Sequence, residues 1–111
     1  MTVLKRYCKT LDLQDDPMLI AEYEAHHKKI WPEITEYLKN TGIEHMEIWR
    51  IGTRLFMIMD VNITYDLNVI LESEVNQRWE QLMSQYQKAT PWSKPGEKWV
   101  ELIKIFDLSD Q

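Results

Sequence analysis

The chain has 111 residues, 44% hydrophobic and 28% charged, with 3 glycines, 4 prolines and a formal net charge of -5. Such a length and composition predict one domain, residues 1–111, large enough to bury its own core, and argue against a disordered or low-complexity chain. The 13 basic residues are outnumbered by 18 acidic ones, which disfavours nucleic acid and anionic membranes as partners, because both need a basic face.

Cys8 is the only cysteine, so neither a disulfide framework nor a thiolate metal cluster is expected. The stretch from Met1 to Leu11 lacks the apolar segment of a secretory leader, and no apolar run reaches membrane-spanning length. The expectation is a cytoplasmic protein.

In chain order, Val3 to Leu13 reads as a first strand, with Tyr7, Lys9, Leu11 and Leu13 on one face and Arg6, Cys8, Thr10 and Asp12 on the other. Asp15-Asp16-Pro17 marks a helix start, since an Asp can cap free N–H groups and a proline at the first helical position loses nothing. Leu19, Ile20, Tyr23, His27, Ile30, Trp31 and Ile34 follow at helical spacing. Pro32 interrupts them, which predicts a kink or restart that positions Trp31 relative to His27, then a short helix to Lys39 ended near Gly42.

Ile43 to Ile51 reads as a second strand, and Gly52-Thr53 as a tight turn into a third, Arg54–Val61. Its run Leu55-Phe56-Met57-Ile58-Met59 does not alternate, which predicts burial on both faces. A second long helix is expected from Ser73 to Lys88, with Val75, Trp79, Leu82, Met83 and Tyr86 as its apolar stripe. Pro91 to Gly96 reads as a loop, and Lys98 to Asp107 as a closing strand.

The order β-α-β-β-α-β is the ferredoxin-like plan of an α+β sandwich. Two helices cover only one face of a four-stranded sheet. A third strand apolar on both faces therefore needs another cover, and in so short a chain a second copy supplies it, as a sheet-to-sheet homodimer.

Chemistry concentrates in Tyr23-Glu24-Ala25-His26-His27-Lys28-Lys29-Ile30-Trp31-Pro32. Tyr23 and His27 lie four apart, on one helix face that is otherwise apolar. A histidine there can act as general acid or base near neutrality. Spacing alone favours a packed core histidine and a core aromatic over a catalytic pair. His26 lies about 100° further round the helix and is expected to face solvent.

Tryptophan is used five times, at Trp31, Trp49, Trp79, Trp92 and Trp99. Flat aromatic faces bind the C–H surfaces of sugars, although a single tryptophan is more simply core. Trp92, in a polar loop, is hardest to explain as core, and Trp49 alternates with His45 and Glu47 on a mixed face. The chain has no glycine-rich phosphate loop, nucleophile elbow or H-E-x-x-H pair, and adjacent His26-His27 is a poor metal site.

The pattern Tyr23…His27…Trp31-Pro32-Glu33, followed by Asn76-Gln77-Arg78-Trp79, the hairpin Arg54-Leu55-Phe56 and the closing Ile105-Phe106, resembles the L-rhamnose mutarotase family, which includes members assigned to L-fucose. The resemblance spans essentially the whole chain. It implies a ferredoxin-like homodimer that interconverts the α and β anomers of a 6-deoxy-L-hexose, a monosaccharide, with no cofactor and no metal.

It further implies His27 as proton donor, Tyr23 as a second acid/base or orienting group, and Trp79 as a wall against the sugar; Trp31, Trp49 and Trp92 are candidate sugar contacts by their aromatic faces. Met46 and Glu80 stand where the rhamnose pattern has a tyrosine and a second tryptophan, both sugar contacts, which makes L-fucose a rival to L-rhamnose. Two other functions suit the same fold: a cofactor-independent monooxygenase or haem-degrading enzyme, and a non-catalytic sugar-binding module.

Overall fold

The computed structural model describes residues 3–63 and 73–111. The protein is α+β: a curled antiparallel sheet carries three helices. In chain order these are β1 (Leu4–Leu13), α1 (Pro17–Lys28), α2 (Pro32–Asn40), β2 (Ile43–Ile51), β3 (Arg54–Asn62), α3 (Glu74–Ser84), β4 (Gln87–Lys88) and β5 (Val100–Glu101), before a 3-10 turn at Leu108–Asp110. The sheet runs β2-β3-β1-β4, and β5 also pairs with β1.

β2 and β3 form the expected hairpin, with Gly52 at a φ of 55° in the turn. β3 also pairs along β1, from Leu4 opposite Asn62 to Asp12 opposite Arg54. This register puts Leu11, Leu55, Met57, Ile48 and Met46 on one face. On that face Leu13, Leu55, Tyr23, Ile34, Trp79, Met83 and Tyr86 close into the core. The opposite face carries Arg6, Asp60, Asp12, Arg54 and the chain His45–Glu47–Trp49, held by hydrogen bonds.

Four places show how the expected elements turned out. First, of the kink or restart expected at Pro32 the structure has the restart: the first helix ends before the proline and a second begins at it. Lys29 is already extended (φ -151°, ψ 98°), as is Trp31 (ψ 134°), and Pro32 opens α2, because a residue preceding proline is pushed out of the helical region. The Asp16 side chain caps α1 by accepting from the N–H groups of Met18 and Leu19, as its sequence suggests.

Second, α3 stops at Ser84 rather than Lys88. The Tyr86 N–H closes the last turn on the Met83 carbonyl, and Gln87–Lys88 then pairs with Leu13 and Asp12. Tyr86 remains in the core at 4% exposure, so the stripe was read correctly although the helix had already ended.

Third, the closing strand is only Val100–Glu101, extended by one hydrogen bond from the Leu102 N–H to the Cys8 carbonyl. β4 already occupies the neighbouring part of the same β1 edge. Past Leu102 the apolar side chains of Ile103, Ile105 and Phe106 are exposed.

Fourth, β3 is not buried on both faces within one chain: Leu55, Met57 and Val61 are buried, whereas Phe56 and Ile58 on the other face are half-buried. Among the described residues no helix is long and apolar enough to cross a membrane.

Candidate active site

Between the helices and the sheet lies a cavity of about 210 Å³. A cavity of about 150 Å³ can hold a benzene ring, so this one suits a single six-membered ring. Tyr23, His27, Trp79, Glu80, Gln87 and Trp99 supply most of its chemistry, and Ile34, Leu38, Met46, Ile48, Met57 and Met83 its apolar wall. A second hollow of about 450 Å³ shares Tyr23, His27 and Ile48 and is bordered by Glu24, Lys28, Trp49 and Arg50. The tyrosine and histidine thus border both spaces.

The helix places the pair. Four residues apart, their rings sit with centroids 4.3 Å apart. His27 Nδ1 lies 2.8 Å from the Tyr23 carbonyl oxygen. A carbonyl oxygen can only accept, so Nδ1 carries the hydrogen and Nε2 is left to take up or release a proton. Burial pushes the His27 pKa below its ordinary 6.5; the bond to the Tyr23 carbonyl opposes this and the neighbouring His26 adds to the fall. At neutral pH the ring is therefore uncharged, with a basic Nε2.

The partner is shifted the other way. Tyr23 is 3% exposed. Burial pushes its hydroxyl up to about 12, against hydrogen bonding from Gln87 that favours the phenolate, while the Glu80 charge adds to the rise. The two groups enter neutral solution as a proton-free base and a proton-loaded acid, the separation of pKa values that acid–base sites use.

Trp79 closes one side, with its ring centroid 5.6 Å from that of His27. Trp31 packs edge-on against Trp79 at 5.1 Å, outside the cavity lining, and so supports the wall rather than forming it. Met46 and Glu80 both line the cavity. Glu80 is paired with Lys98 at 3.2 Å, and the same ammonium donates to Ser84 Oγ at 2.6 Å. That clasp ties the segment before Trp99 to α3.

Trp49 and Trp92 stand apart. The Trp49 indole donates to Glu47 at 3.0 Å on the face away from the helices and meets only the outer hollow. Trp92 lies under the Arg54 guanidinium, 4.7 Å from its ring centroid. His26, expected in solvent, is half-buried, with Nε2 3.2 Å from the Tyr86 hydroxyl and its ring 6.4 Å from Trp79. It turns inward because Tyr86 and Trp79 rise beside α1.

Sequence reasoning did not assign Trp99, Gln87 or Asn76 to the lining. In the overlong helix Gln87 would sit four residues after Met83, at the edge of the stripe, with nothing to mark it as a cavity residue. Trp99 had only its residue type to mark it. Among the described residues, no three His, Cys, Asp or Glu side chains gather as a metal site.

The comparisons with known proteins converge. The model of the L-rhamnose mutarotase family matches residues 6–108. An L-fucose mutarotase of Xanthomonas campestris is 44% identical, covering 96% of this chain and 90% of its own length. An L-rhamnose mutarotase of Cronobacter sakazakii is 31% identical, covering 90% of this chain and 96% of its own. The crystal structure of an L-rhamnose mutarotase from Formosa agariphila shares the fold at a TM-score of 0.72 and 20% identity, over 94% of this chain and 98% of that one. A sugar-sized cavity walled by an oppositely tuned tyrosine and histidine, in a chain so matched over nearly its whole length, places this protein in the L-rhamnose mutarotase family, isomerases that interconvert sugar anomers.

Proposed function

We propose that the protein interconverts the α and β anomers of a 6-deoxy-L-hexopyranose, with L-fucose ahead of L-rhamnose as substrate. The observation that carries the reading is the Tyr23–His27 pair, tuned in opposite directions at the wall of a one-ring cavity. Ring opening needs a proton placed on the ring oxygen and one removed from the anomeric hydroxyl. Tyr23, still protonated, supplies the first; His27 Nε2, unprotonated, takes the second.

The C1–O5 bond breaks as the C1 carbonyl forms. Rotation about C1–C2 exposes the other carbonyl face, O5 attacks it, and the protons return. His27, loaded in the opening step, is the donor on reclosure. No group is oxidised or reduced, and the balance of protons closes within the pair.

The choice of L-fucose rests on Met46 and Glu80, which differ from the rhamnose pattern, and on the greater identity to the Xanthomonas protein. The apolar wall of Leu38, Met46, Met57 and Met83 suits a methyl group better than a hydroxymethyl.

The same reading includes a ferredoxin-like plan over residues 1–111, with β4 and β5 sharing the place of the last strand, and a cytoplasmic homodimer. The half-buried Phe56 and Ile58, with Trp49 at 61% and Ile51 at 73% exposure, support a second copy packed on that sheet face.

Saturation-transfer NMR between the anomeric protons of L-fucose, and separately of L-rhamnose, tests the reading with catalytic amounts of protein. Transfer well above the buffer rate, faster with L-fucose, is expected. Buffer-rate exchange with both sugars from folded protein would overturn it and move the monooxygenase and binding-module functions ahead.

A further inference from the structure

We propose that Gln87 is a specificity-determining residue of this cavity, its side-chain amide oxygen receiving one ring hydroxyl of the bound sugar. The inference rests on the mutarotase reading. Gln87 Oε1 is the one buried side-chain polar atom without a hydrogen-bond partner among the described residues. Leaving such an atom unpaired costs folding free energy, so its presence calls for a reason.

The position of the residue is fixed by its backbone. Gln87 opens β4 opposite Leu13, and its carbonyl accepts from Gln14 Nε2 at 3.1 Å. It lines the same cavity as Tyr23, Trp79 and Trp99. Its amide already acts on the Tyr23 hydroxyl, favouring the phenolate as an N–H donor does. The amide oxygen meanwhile stands as a bare acceptor at the cavity wall.

A methionine would fill a similar volume without an unpaired atom, and the surrounding wall of Met46, Met57 and Met83 shows that such residues fit here. An amide in their midst is a cost to folding that a hydroxyl-bearing ligand would offset. Reversing the amide would present N–H donors in place of the acceptor, and a hydroxyl can answer either. A pyranose hydroxyl, unlike the methyl group, has this complementarity. A buried polar group left unpaired is also what makes a site reject a substrate lacking the matching hydroxyl.

The test compares wild type with Gln87→Met in L-fucose exchange kinetics and thermal melting, with Gln87→Leu as a second variant should the first not fold. KM is expected to rise about tenfold or more as the lost hydrogen bond weakens binding. A melting temperature about 4 °C or more higher is expected as the unpaired atom disappears. Kcat should change less than KM. An unchanged KM refutes the inference, and so does a KM rise accompanied by a lower melting temperature, which would make the amide structural. Wild-type protein that accelerates neither L-fucose nor L-rhamnose marks instead the failure of the mutarotase reading itself, and the inference falls with it.

Discussion

The two faces of the sheet hold similar residue types and put them to different use. On the helix side, Tyr23, His27 and Trp79 lie among Leu55, Met57 and Met83, and burial shifts the two titrating groups apart. On the other side, His45 is 3.0 Å from Glu47, Arg6 is 2.8 Å from Asp60, and Trp49 stands 61% exposed. There the charges are paired and solvated: hydrogen bonds from Trp49 and His45 lower the Glu47 pKa and those from Arg6 lower that of Asp60, so both carboxylates stay ionised. A histidine beside a carboxylate is a familiar signature of a site, yet here it is the histidine without one, held uncharged by burial, that lines the cavity. Desolvation, rather than the number of charged neighbours, separates the faces.

The largest contrast should come from His27→Ala. Loss of the base is expected to slow anomer exchange by about 10³-fold or more, with sugar binding kept, whereas His45→Ala on the other face should leave exchange unchanged. Equal losses in NMR exchange rates would erase the distinction between the faces.

Truncating the aromatics sharpens it in stability. Trp79→Ala removes a wall at 7% exposure and should destabilise by about 3–5 kcal/mol in denaturant titration, while Trp92→Ala, which loses an exposed stack on Arg54, should cost about 0.5–1 kcal/mol. Tyr23→Phe keeps the ring and drops the proton, so exchange should fall about 10²-fold while the fold persists.

A smaller effect lies in pH. His27 has its pKa lowered by burial, so its base form survives below pH 6.5, and the rate should hold at that pH and fall only under more acidic conditions. Unfolding frees the ring to bind a proton more readily. Stability should therefore decline as pH drops from 6.5 through the folded pKa, in a window where the unfolded chain holds more protons. No alkaline fall of the rate is expected from Tyr23 below about 12. A rate already halved at pH 7 would show that burial does not govern the pair.

Pro32→Ala should have the least effect. Since α1 has ended at Lys28 and the proline opens α2, its loss is expected to change exchange less than twofold and stability by about 0.5 kcal/mol.

How far the sequence reached follows the same division. Wherever period and burial agreed, elements were legible: the Asp16 cap, the β2–β3 hairpin, and the Leu13–Leu55–Met83 core. Tyr23 and His27 could be placed together because their relation is local, one turn of one helix. Gln87 and Trp99 could not, because their approach depends on where α3 stops and how the Glu80–Lys98 clasp holds the following segment. Tryptophan count alone did not sort the candidates: Trp49 borders the outer hollow that shares Tyr23 and His27, whereas Trp92 stacks on Arg54. Ile103, Ile105 and Phe106 carried a strand pattern, but β5 ends at Glu101 and they stand exposed.

The bond from His27 to the Tyr23 carbonyl closes within a single turn. Contacts this short in sequence form on the submicrosecond scale of helix growth, long before a sheet that must join β1 to β3 across some fifty residues. The proposed acid–base pair is thus local to one helix turn, whereas the proposed sugar wall exists only once the sheet has formed. A folding defect in the sheet is therefore expected to blur which sugar is accepted before it disturbs the Tyr23–His27 contact.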